Sequence, residues 1–201
     1  MGCSSSSIKD KKIIFIIGKP GSGQKTQSIY LKNQIHNCDI IQVESLIRYE
    51  MLIKSSMKLD QINEDKLVSS EELVTILNDK IKYLPSEFII IEAFPKSESN
   101  ITEWKKIIGK NLIIHSLIYL KIDNDDKLFE REVDKIAAMG DFYVHKRLNT
   151  FKEHTLPTIN SLKDKINYIE IDGEKNDEEV KKEIWKKFNE VSKNGKLNYL
   201  A

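Results

Sequence analysis

An apolar run at 12–17 leads directly into Gly18-Lys19-Pro20-Gly21-Ser22-Gly23-Gln24-Lys25-Thr26-Gln27. No other feature limits the fold as tightly. A buried strand that ends in a glycine-rich loop and opens a helix aims the helix's unpaired N–H groups at the loop, an arrangement that holds phosphate. Glycines let the backbone approach an anion without a Cβ in the way. Gly18 and Gly23 stand at the spacing of the phosphate-binding pattern G-x-x-x-x-G-K-[S/T]. The pattern's lysine falls at position 24, where this chain has Gln24, and Lys25 follows one residue late.

The rest of the chain supplies the scaffold that such a loop needs. Short apolar segments at 39–43, 88–92, 116–122 and 168–171 read as further strands, buried on both faces of a parallel sheet. Helical periodicity fills the intervals 23–34, 44–57, 70–83, 100–108, 125–138, 144–162 and 177–191. The alternation predicts a doubly wound α/β fold, with a parallel sheet of about five strands and helices on both faces. Asp177 is expected to cap the last helix, with Glu178 and Glu179 in its first turn.

Composition narrows the function classes. A chain of 201 residues suits one domain. Lys+Arg 32 against Asp+Glu 31 leaves a net charge of +1, so no global field draws nucleic acid. The longest apolar runs, 13–17 and 88–91, are far short of a membrane span. Two cysteines, Cys3 and Cys38, give no disulfide frame, and Cys38 reads as a small buried hydrophobe. His36, His115, His145 and His154 lack metal-ligand spacing.

The N-terminus carries a separate signal. Met1-Gly2-Cys3-Ser4-Ser5-Ser6 fits M-G-x-x-x-[S/T], the pattern for myristoylation of Gly2. One acyl chain holds a membrane only marginally, so a second signal is required. Cys3 is a palmitoylation candidate, and Lys9, Lys11 and Lys12 add charge near anionic headgroups. Residues 1–11 are therefore expected to be a flexible, lipidated tail at the cytoplasmic face of a membrane. The alternative is a polar terminus whose Gly2 is accidental.

Beyond the loop, the chain resembles the nucleoside monophosphate kinases, the adenylate and UMP/CMP kinases. Their loop reads G-x-P-G-S-G-K-G-T-Q, and Gly18, Pro20, Gly21, Ser22, Gly23, Thr26 and Gln27 match it without a gap. Ile41-Gln42-Val43-Glu44-Ser45-Leu46-Ile47-Arg48 resembles the family's I-S-T-G-D-L-L-R. Lys66-Leu67-Val68 resembles G-x-L-V, and Glu92-Ala93-Phe94-Pro95-Lys96 resembles D-G-F-P-R. Glu130-Arg131 and Lys146-Arg147-Leu148 resemble the arginine segments flanking the lid, and Asp172-Gly173-Glu174-Lys175 resembles the turn that touches the ATP adenine.

The resemblance implies a P-loop NTPase fold over 12–201, with an NMP-binding insert at 44–83 and a shortened lid at 132–146. It implies ATP bound with Mg2+ by Gly18, Pro20, Gly21, Ser22, Gly23, Gln24, Lys25, Thr26 and Lys175, the metal being held indirectly by Thr26 and Glu92. It places the nucleoside monophosphate against Val43, Arg48, Leu67, Val68, Phe94, Lys96 and Thr102. Transition-state charge would fall to Lys25, Arg131, Lys135 and Arg147, in a protein expected to be a monomer.

Several positions leave the family pattern. Gln24 and Lys25 stand for lysine and glycine, and Glu92 stands for aspartate. Lys96 stands for arginine, Thr102 for glutamine, Val43 for threonine and Lys135 for a catalytic arginine. The segment between Arg131 and Arg147 is short and lacks R-x-D-D. Phosphoryl transfer depends on positioned positive charge, and a glutamine brings none. Successive helical residues also point about 100° apart, so Lys25 starts in a different direction from Gln24. Two readings stay open: a membrane-tethered kinase of reduced activity, or a nucleotide-binding pseudokinase acting as a sensor or interaction module.

Overall fold

Five short segments carry enough apolar residues to bury at least one face each: the inner three are buried at nearly every position, while the last alternates buried Ile169 and Ile171 with exposed Glu170 and Asp172. They assemble as β1 (Lys12–Gly18), β2 (Cys38–Gln42), β3 (Phe88–Glu92), β4 (Ile113–Lys121) and β5 (Tyr168–Asp172). All are parallel, in the order β2-β3-β1-β4-β5. The computed structural model describes residues 11–55, 68–131 and 140–200.

The pleat divides β1 between two cores. Ile13, Phe15 and Ile17 point into one, with Leu77 and Ile81 of α3 (Ser70–Tyr83) and Ile101 and Trp104 of α4 (Glu98–Ile107). Ile14 and Ile16 point into the other, with Leu31 of α1 (Gln24–Gln34) and Val180, Ile184 and Phe188 of the C-terminal helix, Asp177–Asn194. Successive strand residues face opposite sides, so a strand apolar at every position must be covered by helices on both faces.

The remaining helices are α2 (Val43–Ser55), α5 (Asp125–Arg131), α6 (Asp141–Thr150) and α7 (Leu156–Leu162), which makes the C-terminal helix α8. The expected single helix at 144–162 is interrupted by a π-helical turn at Phe151–Thr155. Pro157 follows within the first turn of α7. Proline has no N–H to donate and its ring crowds the preceding turn, so the helix widens there instead of running through.

Four expectations need correction. Val43 is the first residue of α2 and not the last of β2. Strand β4 begins at Ile113 and not at Ser116, because pairing with Lys12 and Ile13 carries it through the polar His115-Ser116 step. The cap of α8 is Asn176, which accepts from the Glu179 amide at 3.0 Å, so Asp177 is the first helical residue. Lys11 belongs to the domain and not to the tail: it is 1% exposed, and its ammonium donates to the carbonyls of Ile81, at 3.0 Å, and of Leu84. A cation at the C-terminal end of α3 satisfies carbonyls that the helix leaves open. Lys12 pairs with Glu87 at 2.8 Å. Neither lysine is free for lipid headgroups, and Lys9 lies outside the described residues.

Candidate functional site

In an open parallel sheet, ligands bind outside the carboxyl ends of the strands, where the strand order reverses. Strand β1 lies between β3 and β4 at that reversal, and a cavity of about 570 Å³ opens there. The loop after β1, the start of α2, the end of β3, and residues of α5, α6 and the π-helical turn line it.

The loop wall is made of backbone. Lys19-Pro20-Gly21-Ser22 folds as a turn closed by the Ser22 amide on the Lys19 carbonyl at 3.0 Å. Gly21 has φ 80°, as the third residue of a type II turn requires, and Pro20 suits the second position. Gly18 is required for a different reason. A Cβ there would come within 2.2 Å of Ser22 Oγ and 2.9 Å of the Leu120 carbonyl. Gly23 forms the N-cap of α1 without a side-chain bond to its first turn. The opening residues Gln24, Lys25 and Thr26 all line the cavity, where the first-turn N–H groups have no helical partner. Ser22 Oγ and Gln24 Oε1 are buried there without a hydrogen-bond partner.

Gln24 lines the cavity, but its amide nitrogen is tied to the loop backbone. Its Nε2 donates to the Gly18 carbonyl at 2.8 Å, so the amide fastens the loop to its own first residue. Lys25, by contrast, is exposed on the cavity wall and makes no ion pair or hydrogen bond among the described residues. Its charge nevertheless reaches Glu92. Burial lifts the Glu92 carboxyl above its ordinary range, and the Glu44 charge adds to this. The Gln42 amide, which donates at 3.3 Å, and the Lys25 ammonium pull the other way. Lys19 braces the loop from outside. It meets Asp125 at 2.7 Å, and Lys152 meets the same carboxylate at 2.7 Å. Against burial, which would raise it, these two lysines hold the Asp125 carboxyl below the usual range.

The facing wall is made of side chains. Glu44, in the first turn of α2, pairs with Lys96 at 3.2 Å and also with Arg147 of α6. All three line the cavity. Arg131 also reaches it, donating to the Gly173 carbonyl at 3.1 Å. Thr155 of the π-helical turn donates to the Lys96 carbonyl at 2.9 Å, fixing the backbone after β3. Ala93 turns the chain there with φ 59°, at the position of the glycine in D-G-F-P-R.

The structure thus brings Gly18, Pro20, Gly21, Ser22, Gly23, Gln24, Lys25, Thr26, Val43, Glu92, Lys96, Arg131 and Arg147 around one cavity. Other candidates lie elsewhere. Phe94 is fully buried, 5.7 Å from the Phe15 ring and 5.4 Å from Trp104, so it packs the core and does not line the cavity. Thr102 is exposed on α4 and bonds the Glu98 carbonyl. Lys175 is exposed and pairs with Glu183 at 2.8 Å. Arg48 is half-buried on α2, off the cavity wall, and Val68 packs against the core. Gly2, Cys3, Leu67 and Lys135 lie outside the described residues. Sequence reasoning passed over Glu44, Lys19 and Asp125. For Glu44 the signal was present, a charged residue where the pattern has glycine.

For a metal, the wall offers oxygen donors, the Glu92 carboxylate and the Thr26 hydroxyl. No group of three or more His, Cys, Asp or Glu side chains gathers among the described residues. A sparse oxygen set of this kind fits magnesium carried in by nucleotide phosphates, which needs only one or two protein ligands.

Comparison with known proteins agrees with this geometry. A family described as an AAA domain matches residues 17–141, more than half the chain. UMP-CMP kinase 1 of Oryza sativa subsp. japonica is 26% identical over 181 residues, covering 86% of this chain and 72% of the relative. UMP-CMP kinase 3 of Arabidopsis thaliana is 27% identical over 188 residues, covering 88% of each. The adenylate kinase of Buchnera aphidicola subsp. Cinara cedri is 28% identical, covering 85% of this chain and 94% of the relative. With the phosphate loop at the switch point of a parallel five-stranded sheet, the chain belongs to the family described as an AAA domain, and its similarity to UMP-CMP and adenylate kinases supports a member of the nucleoside monophosphate kinases.

Proposed function

We propose that this protein transfers the γ-phosphoryl group of ATP to a nucleoside monophosphate, AMP or UMP/CMP, at reduced rate. We further propose that acyl chains on Gly2 and Cys3 hold it, as a monomer, at the cytoplasmic face of a membrane. One observation carries the catalytic reading: the backbone loop and the cation-bearing wall of Lys96 and Arg147 face each other across a single cavity.

The loop's N–H groups would hold the donor phosphates, with Arg131 at the edge of the same space. An acceptor phosphate oxygen attacks the γ-phosphorus, and the bond from the γ-phosphorus to the bridging oxygen breaks, releasing ADP. The acceptor is already an anion, so no general base is needed, and catalysis is positioning and electrostatics. Lys25 would meet charge on the transferred group, a reading supported by the tie of Gln24 to Gly18. Magnesium, when bound with ATP by Glu92 and Thr26, would neutralise phosphate charge.

A second reading, a nucleotide-binding pseudokinase, is favoured by the same Gln24 contact and by the pairing of Glu44 with both acceptor-side cations. An ADP-release assay with ATP and AMP, CMP or UMP separates the two. Turnover by the wild type that falls ~10²–10³-fold in Lys25→Ala supports the kinase, the usual cost of losing one transition-state charge. ATP binding without turnover on any acceptor supports the pseudokinase. No helix among the described residues is long and apolar enough to cross a membrane. The tether is tested by Gly2→Ala, which is expected to move the protein from membrane to soluble fractions, and an unchanged distribution removes it.

A further inference from the structure

Glu44 occupies a place that a bound anion would take. Three sources of positive potential converge on it: the N-terminal turn of α2, the Lys96 ammonium at 3.2 Å, and the Arg147 guanidinium. The three side chains come from distant segments, with Glu44 separated by 52 positions from Lys96 and by 103 from Arg147. They line the same cavity as the phosphate loop, on the opposite wall. Arg147 keeps only 20% of its side chain exposed and Glu44 32%, so solvent screens this pairing less than a surface contact. The carboxylate therefore stands where the phosphate of an acceptor would meet these cations.

We propose that Glu44 is a specificity-determining residue, an internal carboxylate that fills the anion position between Lys96 and Arg147 and turns the acceptor half of the cleft away from phosphate monoesters. An entering monoester must displace Glu44 from both cations or lie beside it. Either way it meets a like charge, which disfavours binding. The loop half is untouched, because its donors are backbone groups. The consequence is a cleft that holds the donor nucleotide well and the acceptor poorly. This inference rests on the reading of the cleft as a nucleoside monophosphate kinase site.

The test measures binding to the full chain by calorimetry at fixed pH and salt, for the wild type, Glu44→Gln and Glu44→Gly. Glu44→Gln keeps the shape and removes the charge; Glu44→Gly restores the glycine of the family pattern. The probes are AMP, CMP, UMP, inorganic phosphate and, as reference, ATP. Both variants are expected to bind at least one monophosphate about tenfold tighter than the wild type, a difference of about 1.4 kcal/mol. ATP affinity is expected to change less than monophosphate affinity, because the loop holds its phosphates through backbone groups. In a Lys96→Gln background the gain on Glu44→Gln is expected to shrink, which a purely structural role of Glu44 would not produce. Unchanged monophosphate and phosphate affinities in both variants overturn the proposal. If inorganic phosphate gains and no monophosphate does, the Glu44 assignment stands and the monophosphate reading falls. If the wild type already binds monophosphates as tightly as the variants, the monophosphate reading stands and the Glu44 assignment falls.

Discussion

The two walls of the cleft solve the same problem, holding phosphate, by different means. The loop wall uses backbone: a type II turn, Gly18 pressed against Leu120, and the open amides of α1. The facing wall uses side chains: Glu44, Lys96, Arg147 and Arg131. A backbone site survives replacement of the side chains around it, as the loop survives Gln24 and Lys25. A side-chain site is reset by one residue. Glu44 pairs with two cations that line the cavity. Substitution therefore spares the loop's shape and strikes the charge balance opposite it.

That contrast is most directly broken at Gly18. In Gly18→Ala the new Cβ meets the Leu120 carbonyl, a backbone atom that cannot step aside. Destabilisation of about 3 kcal/mol is expected, of the size that overpacking produces, together with loss of ATP binding. Chemical denaturation and nucleotide titration check both, and near-normal ATP binding would show that the loop tolerates a shift the contrast denies.

Acid sharpens the comparison by separating the cleft from its scaffold. His115, on β4 at the far end of the sheet, is held down to about 4 from 6.5 by burial first and by the Lys12 charge second. The folded protein therefore keeps this imidazole neutral where the unfolded chain takes up a proton. Stability is lost as pH falls through 6.5 and levels off below the folded value. The full loss is about 3 kcal/mol, at 1.36 kcal/mol for each pH unit. His115→Asn, which cannot titrate, is expected to lose correspondingly less between the two values in denaturation curves across pH. Equal losses would assign the acid sensitivity to groups other than His115.

The smallest effect concerns Ala93, at the hinge between the walls. An alanine at φ 59° carries a steric cost that glycine does not, so Ala93→Gly is expected to stabilise the fold by about 1 kcal/mol. Thermal melts measure it. A destabilised variant would mean that the turn after β3 gains more from the methyl contact than it loses in backbone strain.

Particular residues show how far the sequence reached. Ile13 to Ile17 are apolar at every step, and this local pattern requires burial on both faces wherever the strand lies, so the parallel sheet was legible. Asp177 was misread as a cap because Asn176 and Asp177 are both capping residue types, and only the geometry of the turn selects between them. Phe94 stands in a phosphate-site motif yet packs against Phe15 and Trp104. Motif membership is a statement about sequence neighbours, and burial depends on what folds over them. Lys11 looked like tail charge, and only the position of α3 makes it a cap for Ile81 and Leu84.

By itself the sequence determined the strand–loop–helix unit and the alternation around it, because both rest on contacts within a few residues and on burial that any compact fold must satisfy. It also located the loop's departure from the family pattern, Gln24 and Lys25, but passed over Glu44. What those residues do was decided by tertiary structure alone. Gln24 closes on Gly18 within the loop, and Glu44 meets Lys96 and Arg147 across separations that no local pattern spans. Electrostatic pairing depends on distance in space, and folding sets that distance.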